Sequence, residues 1–585
     1  MSIAKPIPGH ISRILRASNV RLAGRSLAVA LAALHTWAAI SAYSMNADGI
    51  VYMDIGDAFW RGDWGTAVNA VWSPLYAWIL GLALRLFNPA MTWEFTLVHL
   101  VDFAIYVSAL LCFEQLWRQL WLYQQTEQQN SHRLSLPEWA WLTIGYTLFI
   151  WVSLSLIEIW AVTPDMLMAC FVYLAAAQLV RLRRGADQWR HFALLGVWLG
   201  LGYLSKAIMF PLAFVFLFIA LFSLENVRRA WPKVLLSLLV FLLISGPWIA
   251  LISASRGRFT FSDASTITYL RYVQGLPFVH WQGEDPPVNG TPLHPTRQVL
   301  ATPPVYEFAT PIGGTYPVAT DPVFWYEGAQ TRLNVAAQIR LLLASGLFYL
   351  DLFARQQAVL VTAVLLGWWL AGARPSAPLS LLRRYGLTLI ALAAFALYAP
   401  VLVEGRYVGV FVILFWGDLL ANWRLSDSPT NRRLIPALSL IALAVMWLNI
   451  FAFNLEGFAK VTSRTVPAVN TAEAPPPTWP GETAVALHEL GLQPGDHVGI
   501  IGYGFDAYWA RLAHVKIVAE LPDNAANDFW RGNPEMQIQA VRAFARSGAQ
   551  AIVAEYVPAH ADTTGWQQVG NSNYYIYLLT SEIGD

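Results

Sequence analysis

Four groups of polar residues interrupt an otherwise apolar sequence, and their residue types suit acid–base chemistry beside an anionic group. The first group follows the first apolar run and contains Asp48, Tyr52 and Asp54. Charge beside hydrocarbon is costly and is usually retained for chemistry or transport. We therefore take Asp48 as the leading candidate for a general base, with Tyr52 and Asp54 as residues that bind substrate or support the base.

Each of the other three groups breaks an apolar run near its middle. Their candidate residues, in chain order, are Glu158, Asp165, Lys206, Glu404, Arg406 and Tyr407. Lys206 and Arg406 are candidates for binding a phosphate group, because ammonium and guanidinium groups form charged hydrogen bonds with phosphate oxygens. The remaining four are expected to contact substrate or to support the other side chains.

These assignments have structural alternatives. A lysine whose stem reaches the membrane interface would also explain Lys206, and an ion pair would explain Glu404 and Arg406. Asp57 and Asp63 follow the first group closely and are expected on a helix surface or as helix caps.

The three interrupted runs cover residues 139–180, 192–224 and 385–421, and basic or polar segments flank both ends of each run. The positive-inside rule places such segments in the cytoplasm, so each run should cross the membrane twice and turn on the outer side. The basic residues of segment 1–25 place the N-terminus in the cytoplasm as well. All four polar groups are therefore expected on the outer side of the membrane.

The composition predicts the fold class. Of the 585 residues, 56% are hydrophobic and 13% are charged, and the mean hydropathy is +0.45. Such a chain is expected to be a polytopic α-helical membrane protein with about eleven spans. The formal net charge of +1, with Lys and Arg dispersed in short clusters, predicts no nucleic-acid partner.

The chain is expected to have four parts. These are a cytoplasmic N-terminal segment (1–25), a transmembrane domain (26–452), a Pro-rich linker (453–480) and a C-terminal domain (481–585). The transmembrane domain should have outer loops at about 44–94 and 254–340. In the C-terminal domain, strand patterns alternate with helix patterns, which predicts a small α/β unit on the outer side that folds by itself.

Two apolar runs contain polar residues that argue against simple spans. The run 72–87 is expected to be an amphipathic or re-entrant helix of the first outer loop. In the run 341–370, Asp351 and Arg355 occupy the first part, so only the second part is expected to span.

The polar groups resemble, in type and order, the motifs of the GT-C class of membrane glycosyltransferases. The matching segments are Asp48 with Gly62-Asp63, Thr163-Pro164-Asp165, Leu204-Ser205-Lys206 and Glu404-Gly405-Arg406-Tyr407. The resemblance covers residues 26–452. Many members of the class have Asp-Glu where this chain has Asp48-Gly49, so no role is transferred from that Glu.

The resemblance implies inverting transfer of a sugar from a polyprenyl-phosphate donor to a lipid, glycan or protein acceptor. The reaction would take place at the outer face of a bacterial-type inner membrane. Asp48 would be the catalytic base, and Lys206 and Arg406 would bind the donor phosphate.

Two points stay open. The cofactor is undetermined: a divalent cation bound by Asp48, Asp54 or Glu158 is one option, while the sequence has no His or Cys cluster with zinc spacing. A membrane transporter or lipid flippase is the alternative function, because such proteins also concentrate charge within a helix bundle. Transporters bind near the midplane, however, whereas these charges are predicted at one face.

Overall fold

The computed structural model describes residues 16–43, 45–131, 134–224, 226–283, 288–308, 313–371, 378–465, 479–559 and 561–579. Residues 1–15 of the N-terminal segment and residues 466–478 of the predicted linker lie outside these ranges. Within them, the chain forms a helical membrane part and a region built on a mixed sheet, which we call the outer region after the side of the membrane predicted for it.

Ten helices of the described residues belong to the first half of the membrane part. They are α1 (Ala17–Ala42), α2 (Ala47–Arg61), α3 (Trp64–Ala67), α4 (Pro74–Phe87), α5 (Met91–Ser131), α6 (Glu138–Trp151), α7 (Asp165–Arg183), α8 (Trp189–Ser205), α9 (Met209–Ser223) and α10 (Val227–Ser255). Helix α6 continues as a π-helical turn over Val152–Leu156.

The outer loop and the second half of the membrane part follow. Their elements are α11 (Ala264–Tyr272), β1 (Arg297–Ala301), β2 (Pro304–Glu307), α12 (Pro317–Thr320), α13 (Pro322–Trp325), α14 (Val335–Leu350), α15 (Ala358–Ala371), α16 (Pro378–Arg384), α17 (Gly386–Tyr398), α18 (Gly405–Ala421) and α19 (Pro429–Thr465). Helix α14 continues as a π-helical turn over Asp351–Gln356.

Among the described residues, seven helical segments are long and apolar enough to cross a membrane. They are Ala17–Ala42, Met91–Gln128, Glu138–Leu156, Asp165–Arg183, Val227–Ser255, Val335–Gln356 and Pro429–Leu448. The chain is thus a multi-pass helical protein, as its composition predicts. The total of about eleven spans includes shorter helices and stays a prediction.

Each of the three interrupted runs forms two helices joined by a short turn, as predicted. The pairs are α6 with α7, α8 with α9, and α17 with α18. Asp165 begins α7 directly after Pro164, Lys206 follows the last residue of α8, and Glu404 precedes α18. The charged residues therefore occupy the turns and the helix ends.

The run 341–370 differs from its prediction. Its first part belongs to the 22-residue segment Val335–Gln356, which meets the criteria for a span, whereas α15 has only 14 residues. By length and composition, the segment that contains the first part qualifies as a span, which does not support the prediction that only the second part spans. Asp351 and Arg355 form an ion pair one turn apart, and this pairing offsets part of the cost of charge in an apolar helix.

Helix α4 packs closely against α2, the helix that carries Asp48. At their contact a Cβ atom on Gly56 would lie 2.3 Å from the carbonyl oxygen of Ala77, and a Cβ on Gly81 would lie 2.5 Å from the backbone of Gly56. Such contacts exclude any side chain at these two positions, as in the small-residue crossings of membrane helices. The helix formed by the run 72–87 therefore packs directly against α2, which carries Asp48, Tyr52 and Asp54.

The outer region is organised around a sheet whose strand order is β1-β2-β4-β3-β5-β7-β6. Its C-terminal elements are α20 (Trp479–Glu489), β3 (His497–Gly502), α21 (Tyr508–Leu512), β4 (Lys516–Pro522), α22 (Asp523–Arg531), α23 (Pro534–Arg546), β5 (Ala551–Ala554), β6 (Gln567–Gln568) and β7 (Tyr575–Leu578). The three central strands β4, β3 and β5 are parallel, and the outer pairings are antiparallel.

The alternation of strands and helices after residue 481 agrees with the expected α/β unit. The sheet nevertheless extends beyond it, because β1 and β2 come from the outer loop 254–340 and Tyr306 in β2 pairs with Glu520 in β4. The outer loop and the C-terminal domain therefore share one sheet instead of forming separate units.

Candidate active site

A cavity of about 690 Å³ brings the predicted polar groups together. The predicted site residues in its lining are Asp48, Tyr52, Asp165, Lys206, Glu404, Arg406 and Tyr407. Glu158 and Asp54 are not part of this lining. Apolar residues from the turn and start of α9 and from the end of α17 and the turn after it contribute much of the remaining surface, including Ile208, Pro211, Leu397, Val401 and Leu402.

Asp48 lies in the first turn of α2, and its position is set from the preceding turn. The side chain of Asn46 accepts a hydrogen bond from the backbone N–H of Val162 (2.9 Å) and donates one to its carbonyl (3.2 Å). A Cβ on Gly49 would lie 2.8 Å from the Val162 side chain. This close approach leaves little room for a side chain at position 49.

Arg406 forms ion pairs with two carboxylates of the cavity. Its Nη1 lies 2.9 Å from Asp48 Oδ2, and its Nε lies 2.7 Å from Glu404 Oε2. Its Nη2 donates to the hydroxyl of Tyr407 at 3.4 Å. The candidate base and a candidate phosphate ligand are thus direct partners, and Asp48 Oδ1 has no hydrogen-bond partner among the described residues.

Lys206 is held by a carboxylate and an aromatic ring. Its Nζ pairs with Asp165 and lies 3.9 Å from the centroid of the Tyr407 ring. The second carboxylate oxygen of Asp165, Oδ2, is buried without a hydrogen-bond partner. A hydroxyl of a bound substrate would satisfy this oxygen, because a buried acceptor without a partner is costly.

Glu158 lies in the turn between α6 and α7. Its φ of 60° is rare for a residue other than glycine, and such a conformation costs on the order of 1–3 kcal/mol. Burial raises the pKa of Glu158, while the nearby charge of Arg406 lowers it. Glu158 is therefore close to the cavity and contributes to its electrostatics without lining it.

Arg271 is a candidate that the sequence did not reveal. It lies on α11 and lines the cavity, with its guanidinium 4.8 Å from the Phe278 ring and 5.0 Å from the Tyr326 ring. It donates to the Tyr326 hydroxyl (3.3 Å) and the Phe278 carbonyl (3.2 Å). Lys206 and Arg406 have carboxylate partners, whereas Arg271 has none within the part of the chain that the structure describes.

Tyr272, the residue after Arg271 on α11, is close to Glu404, the carboxylate that pairs with Arg406. Burial raises the pKa of Tyr272, and the Glu404 carboxylate raises it further, because the two side chains are close. The only sequence signal for this helix is a cation among aromatic residues in a long outer loop.

Asp54 is buried and binds the outer region instead of solvent. Its carboxylate accepts hydrogen bonds from the backbone N–H (2.6 Å) and hydroxyl (3.0 Å) of Thr315. It also pairs with Arg511 of α21 at 3.0 Å, and Arg511 lies 2.5 Å from Asp57 and 3.2 Å from Glu94. We call these four charged side chains the Arg511 cluster.

The Arg511 cluster corrects one expectation and leaves another intact. Asp57 is not a surface residue, because the guanidinium of Arg511 reaches it from the C-terminal domain. Asp63 does act as a cap, since its carboxylate accepts from the Thr66 N–H at 3.3 Å. The 15 residues of α2 give no local sign of a partner that distant in sequence.

The carboxylates proposed for a divalent cation do not fit a metal site. Asp48 forms an ion pair with Arg406, and Asp54 forms one with Arg511. The two carboxylates therefore belong to separate ion-pair groups in different parts of the molecule. Among the described residues, no group of three or more His, Cys, Asp or Glu side chains could hold a metal ion.

Glu555 follows β5 and supports the turn after β3. It accepts hydrogen bonds from Trp509 Nε1 (2.8 Å) and the backbone N–H of Tyr503 (3.3 Å). Its pKa is raised from 4.5 to about 7, mainly by burial and to a smaller extent by the neighbouring carboxylates of Asp506 and Glu520. The folded protein therefore retains the proton over a pH range in which the unfolded chain releases it.

The outer region should therefore lose about 3 kcal/mol of stability as the pH rises from 4.5 to 7. The contribution is present in full below the unfolded pKa and is absent above the folded one. Hydrogen exchange of the β5 amides, corrected for its intrinsic pH dependence, measures this change. The Glu555→Gln variant, which keeps the acceptor for Trp509, should lose the pH dependence, and an unchanged profile would contradict the assignment.

Comparison with family models gives no match for this chain, and comparison with curated proteins gives none either. Several solved structures are similar to it over most of its length, and the following three are among them. ArnT from Cupriavidus metallidurans bound to undecaprenyl phosphate has 15% identity and a TM-score of 0.46, covering 96% of this chain and 98% of that chain.

The other two are larger proteins. The Archaeoglobus fulgidus oligosaccharyltransferase in complex with zinc and sulfate has 12% identity and a TM-score of 0.46, covering 92% of this chain and 68% of that chain. The arabinofuranosyltransferase AftD from Mycobacteria has 13% identity and a TM-score of 0.45, covering 95% of this chain and 39% of that chain.

Proposed function

We propose that this chain is a membrane glycosyltransferase that transfers a sugar from a polyprenyl-phosphate donor to an acceptor, with inversion at the anomeric carbon. The observation that carries the proposal is the cavity in which Asp48, Arg406, Lys206 and Arg271 meet beside an apolar wall. A carboxylate next to fixed cations suits a reaction that takes a proton from one group and leaves negative charge on another.

The cations and the apolar wall fit the two parts of such a donor. Arg271 has no carboxylate partner among the described residues that would compete with a phosphate, and Arg406 has a planar fork that suits two phosphate oxygens. The isoprenoid tail would lie along the apolar residues of α9 and α17, where its burial is favourable. Fixed cations also stabilise the negative charge of the leaving phosphate, because they are already in position and need not move during the reaction.

The reaction is a single displacement. The acceptor oxygen attacks the anomeric carbon, and the new carbon–oxygen bond forms as the bond from that carbon to the phosphate oxygen breaks. The acceptor proton passes to Asp48, and the polyprenyl phosphate leaves with the electron pair of the broken bond. Attack from the face opposite the leaving phosphate inverts the anomeric configuration.

The ion pair between Asp48 and Arg406 controls when Asp48 can act as a base. In the free site, Arg406 is shared between Asp48 and Glu404. A bound donor phosphate competes with Asp48 for the guanidinium, and Asp48 then becomes available to accept the proton. Donor binding would thus prepare the base.

The basic segments support a location in a bacterial-type inner membrane. By the positive-inside rule, they favour a cytoplasmic N-terminus, with the cavity and the outer region on the periplasmic side. The donor would enter from the outer leaflet. The acceptor, whether lipid, glycan or protein, would reach the cavity from that same compartment.

Turnover of the donor tests the proposal. Purified protein in lipid nanodiscs is supplied with polyprenyl-phosphate sugars and a membrane-derived lipid and glycan extract, and the release of polyprenyl phosphate is measured. A transferase releases polyprenyl phosphate only when an acceptor is present. A transporter or flippase moves the intact lipid, so transbilayer movement without bond cleavage would contradict the proposal.

Removing a donor-binding cation should weaken donor affinity. Arg271→Ala is expected to weaken the binding of polyprenyl phosphate by about 1.5–3 kcal/mol, the scale of a lost charged hydrogen bond. Lys206→Ala and Arg406→Ala should weaken it too, but they also release the carboxylates of Asp165 and Asp48. Arg271→Ala is the cleaner measurement because it releases no carboxylate.

Titration of nanodisc-embedded protein with polyprenyl phosphate gives the dissociation constant. Arg332→Ala is the matched control, since Arg332 belongs to the same outer loop and is exposed. Equal affinity in the Arg271→Ala, Arg332→Ala and unaltered proteins would exclude Arg271 from the phosphate site.

A further inference from the structure

The C-terminal domain contributes three residues to the cavity lining: Tyr503, Phe505 and Asp506. They belong to the segment that follows β3, the strand between β4 and β5 in the parallel part of the sheet. In open parallel sheets, ligands bind outside the carboxyl ends of the strands. This segment, residues 503–506, is the strand-end loop.

The base of the strand-end loop is rigidly held. Glu520 in β4 accepts from the Tyr316 hydroxyl at 2.5 Å and from the Gly504 N–H at 3.4 Å. Glu555 accepts from the Tyr503 N–H on the other side. Two buried carboxylates therefore fix the backbone of the loop, and its outward side chains are held in place over the cavity.

The outward side chains form an aromatic surface beside an anion. The rings of Tyr503 and Phe505 have centroids 5.3 Å apart, and Tyr316 supports Phe505 edge-on at 5.1 Å. Asp506 is exposed, and its carboxylate has no hydrogen-bond or ion-pair partner in the described part of the chain. Aromatic walls with a few placed polar groups are typical of small-molecule sites.

The charges distinguish this part of the cavity from the proposed donor-phosphate site. The guanidinium of Arg271 lies 6.0 Å from the Phe505 ring, so the phosphate-binding cation borders the aromatic surface. Beyond it, the unpaired charge of Asp506 opposes a second anion by like-charge repulsion. A neutral ligand with hydroxyl donors and an apolar face suits Asp506 and the two rings.

We propose that the strand-end loop binds the sugar ring of a carbohydrate acceptor. An apolar face of the ring packs against Phe505 and Tyr503, and ring hydroxyls donate hydrogen bonds to Asp506. The inference rests on the proposed function, in which the donor occupies the cations. It gives the C-terminal domain a direct part in selecting the acceptor.

The test uses the full chain in nanodiscs and four simple probes: methyl α-mannoside, methyl β-glucoside, methyl β-galactoside and methyl α-arabinofuranoside. Saturation-transfer NMR detects their contact with the protein, and titration gives a dissociation constant. At least one glycoside should bind. Phe505→Ala should weaken its binding by about 3- to 10-fold, the scale of a lost aromatic contact.

Three further variants sharpen the test. Asp506→Asn should weaken binding by about 10-fold or more, because a charged acceptor is replaced by a neutral one. Phe505→Trp keeps an aromatic face and should retain binding. Asp528→Asn, at an exposed position on α22 of the same domain, should leave the dissociation constant unchanged.

The outcomes separate this inference from the proposed function. If no glycoside binds the unaltered protein, or if Phe505→Ala and Asp506→Asn bind as well as it does, the acceptor site is elsewhere. Binding of polyprenyl phosphate is measured on the same samples. If that lipid fails to bind, the proposed function is wrong, whereas lipid binding without glycoside binding overturns only the acceptor site.

Discussion

Asp48→Asn is expected to lower turnover with saturating donor by about 10²–10⁴-fold, the contribution of a positioned acid–base group. The amide keeps the size of the carboxylate and cannot accept the proton. Binding of polyprenyl phosphate should be preserved, because the substitution frees the guanidinium of Arg406 from one of its two carboxylates. Turnover and lipid affinity are measured on the same preparation.

Asp63→Asn is the matched control for this experiment. Asp63 caps α3, and Asn caps a helix about as well as Asp, so turnover should stay near that of the unaltered protein. Asp54→Asn should instead disturb the Arg511 cluster and thereby the docking of the outer region. Normal turnover in Asp48→Asn would rule out Asp48 as the base. A loss of turnover in Asp54→Asn should be accompanied by weaker protection of α21, because Asp54 binds Arg511 and does not line the cavity.

Arg511→Ala is expected to weaken the attachment of the C-terminal domain by about 3–5 kcal/mol, the cost of removing one partner from a buried ionic group. The side chain of Arg511 is only 4% exposed, and it faces the carboxylates of Asp54, Asp57 and Glu94. Without Arg511, these three negative charges remain buried close together. The burial of the cluster, more than its number of ion pairs, makes the effect large.

Limited proteolysis and hydrogen exchange of α21 and β4 measure this loss of attachment. Arg546→Ala, at the end of α23, removes an arginine from the same domain without touching the cluster and should change neither readout. In a double variant with Asp54→Asn, the two effects should be less than additive, because both act on one network. Full protection of α21 in Arg511→Ala would contradict the assigned role.

Loss of Arg511 should also affect turnover, since Asp54 and Asp57 lie on α2 together with Asp48. Arg511 touches none of the reacting atoms, so it is a positioning residue. Its removal should lower turnover by displacing α2, while the affinity of Arg271 for phosphate is maintained. Arg511→Lys restores the charge but not the fork geometry and should recover only part of the protection.

Much of the membrane part could be predicted from the sequence. The three hairpins have their turns at Asp165, Lys206 and Glu404, where charged residues interrupt apolar runs. Hydropathy and the placement of basic residues are properties of short windows, and a spanning helix satisfies its own backbone hydrogen bonds within such a window. For the same reason the candidate residues of the turns could be named in advance.

The sequence alone determined that this is a multi-pass helical protein, which polar groups break its spans, and that an α/β region follows them. The tertiary structure alone decided which of these groups meet. Arg406 pairs with Asp48 across 358 positions, and Arg511 pairs with Asp54 across 457. Contacts at such separations depend on how finished helices and strands pack, and neither periodicity nor local charge encodes that packing. The cation Arg271 and the strand-end loop became visible only when the outer loop and the C-terminal domain joined in one sheet above the cavity.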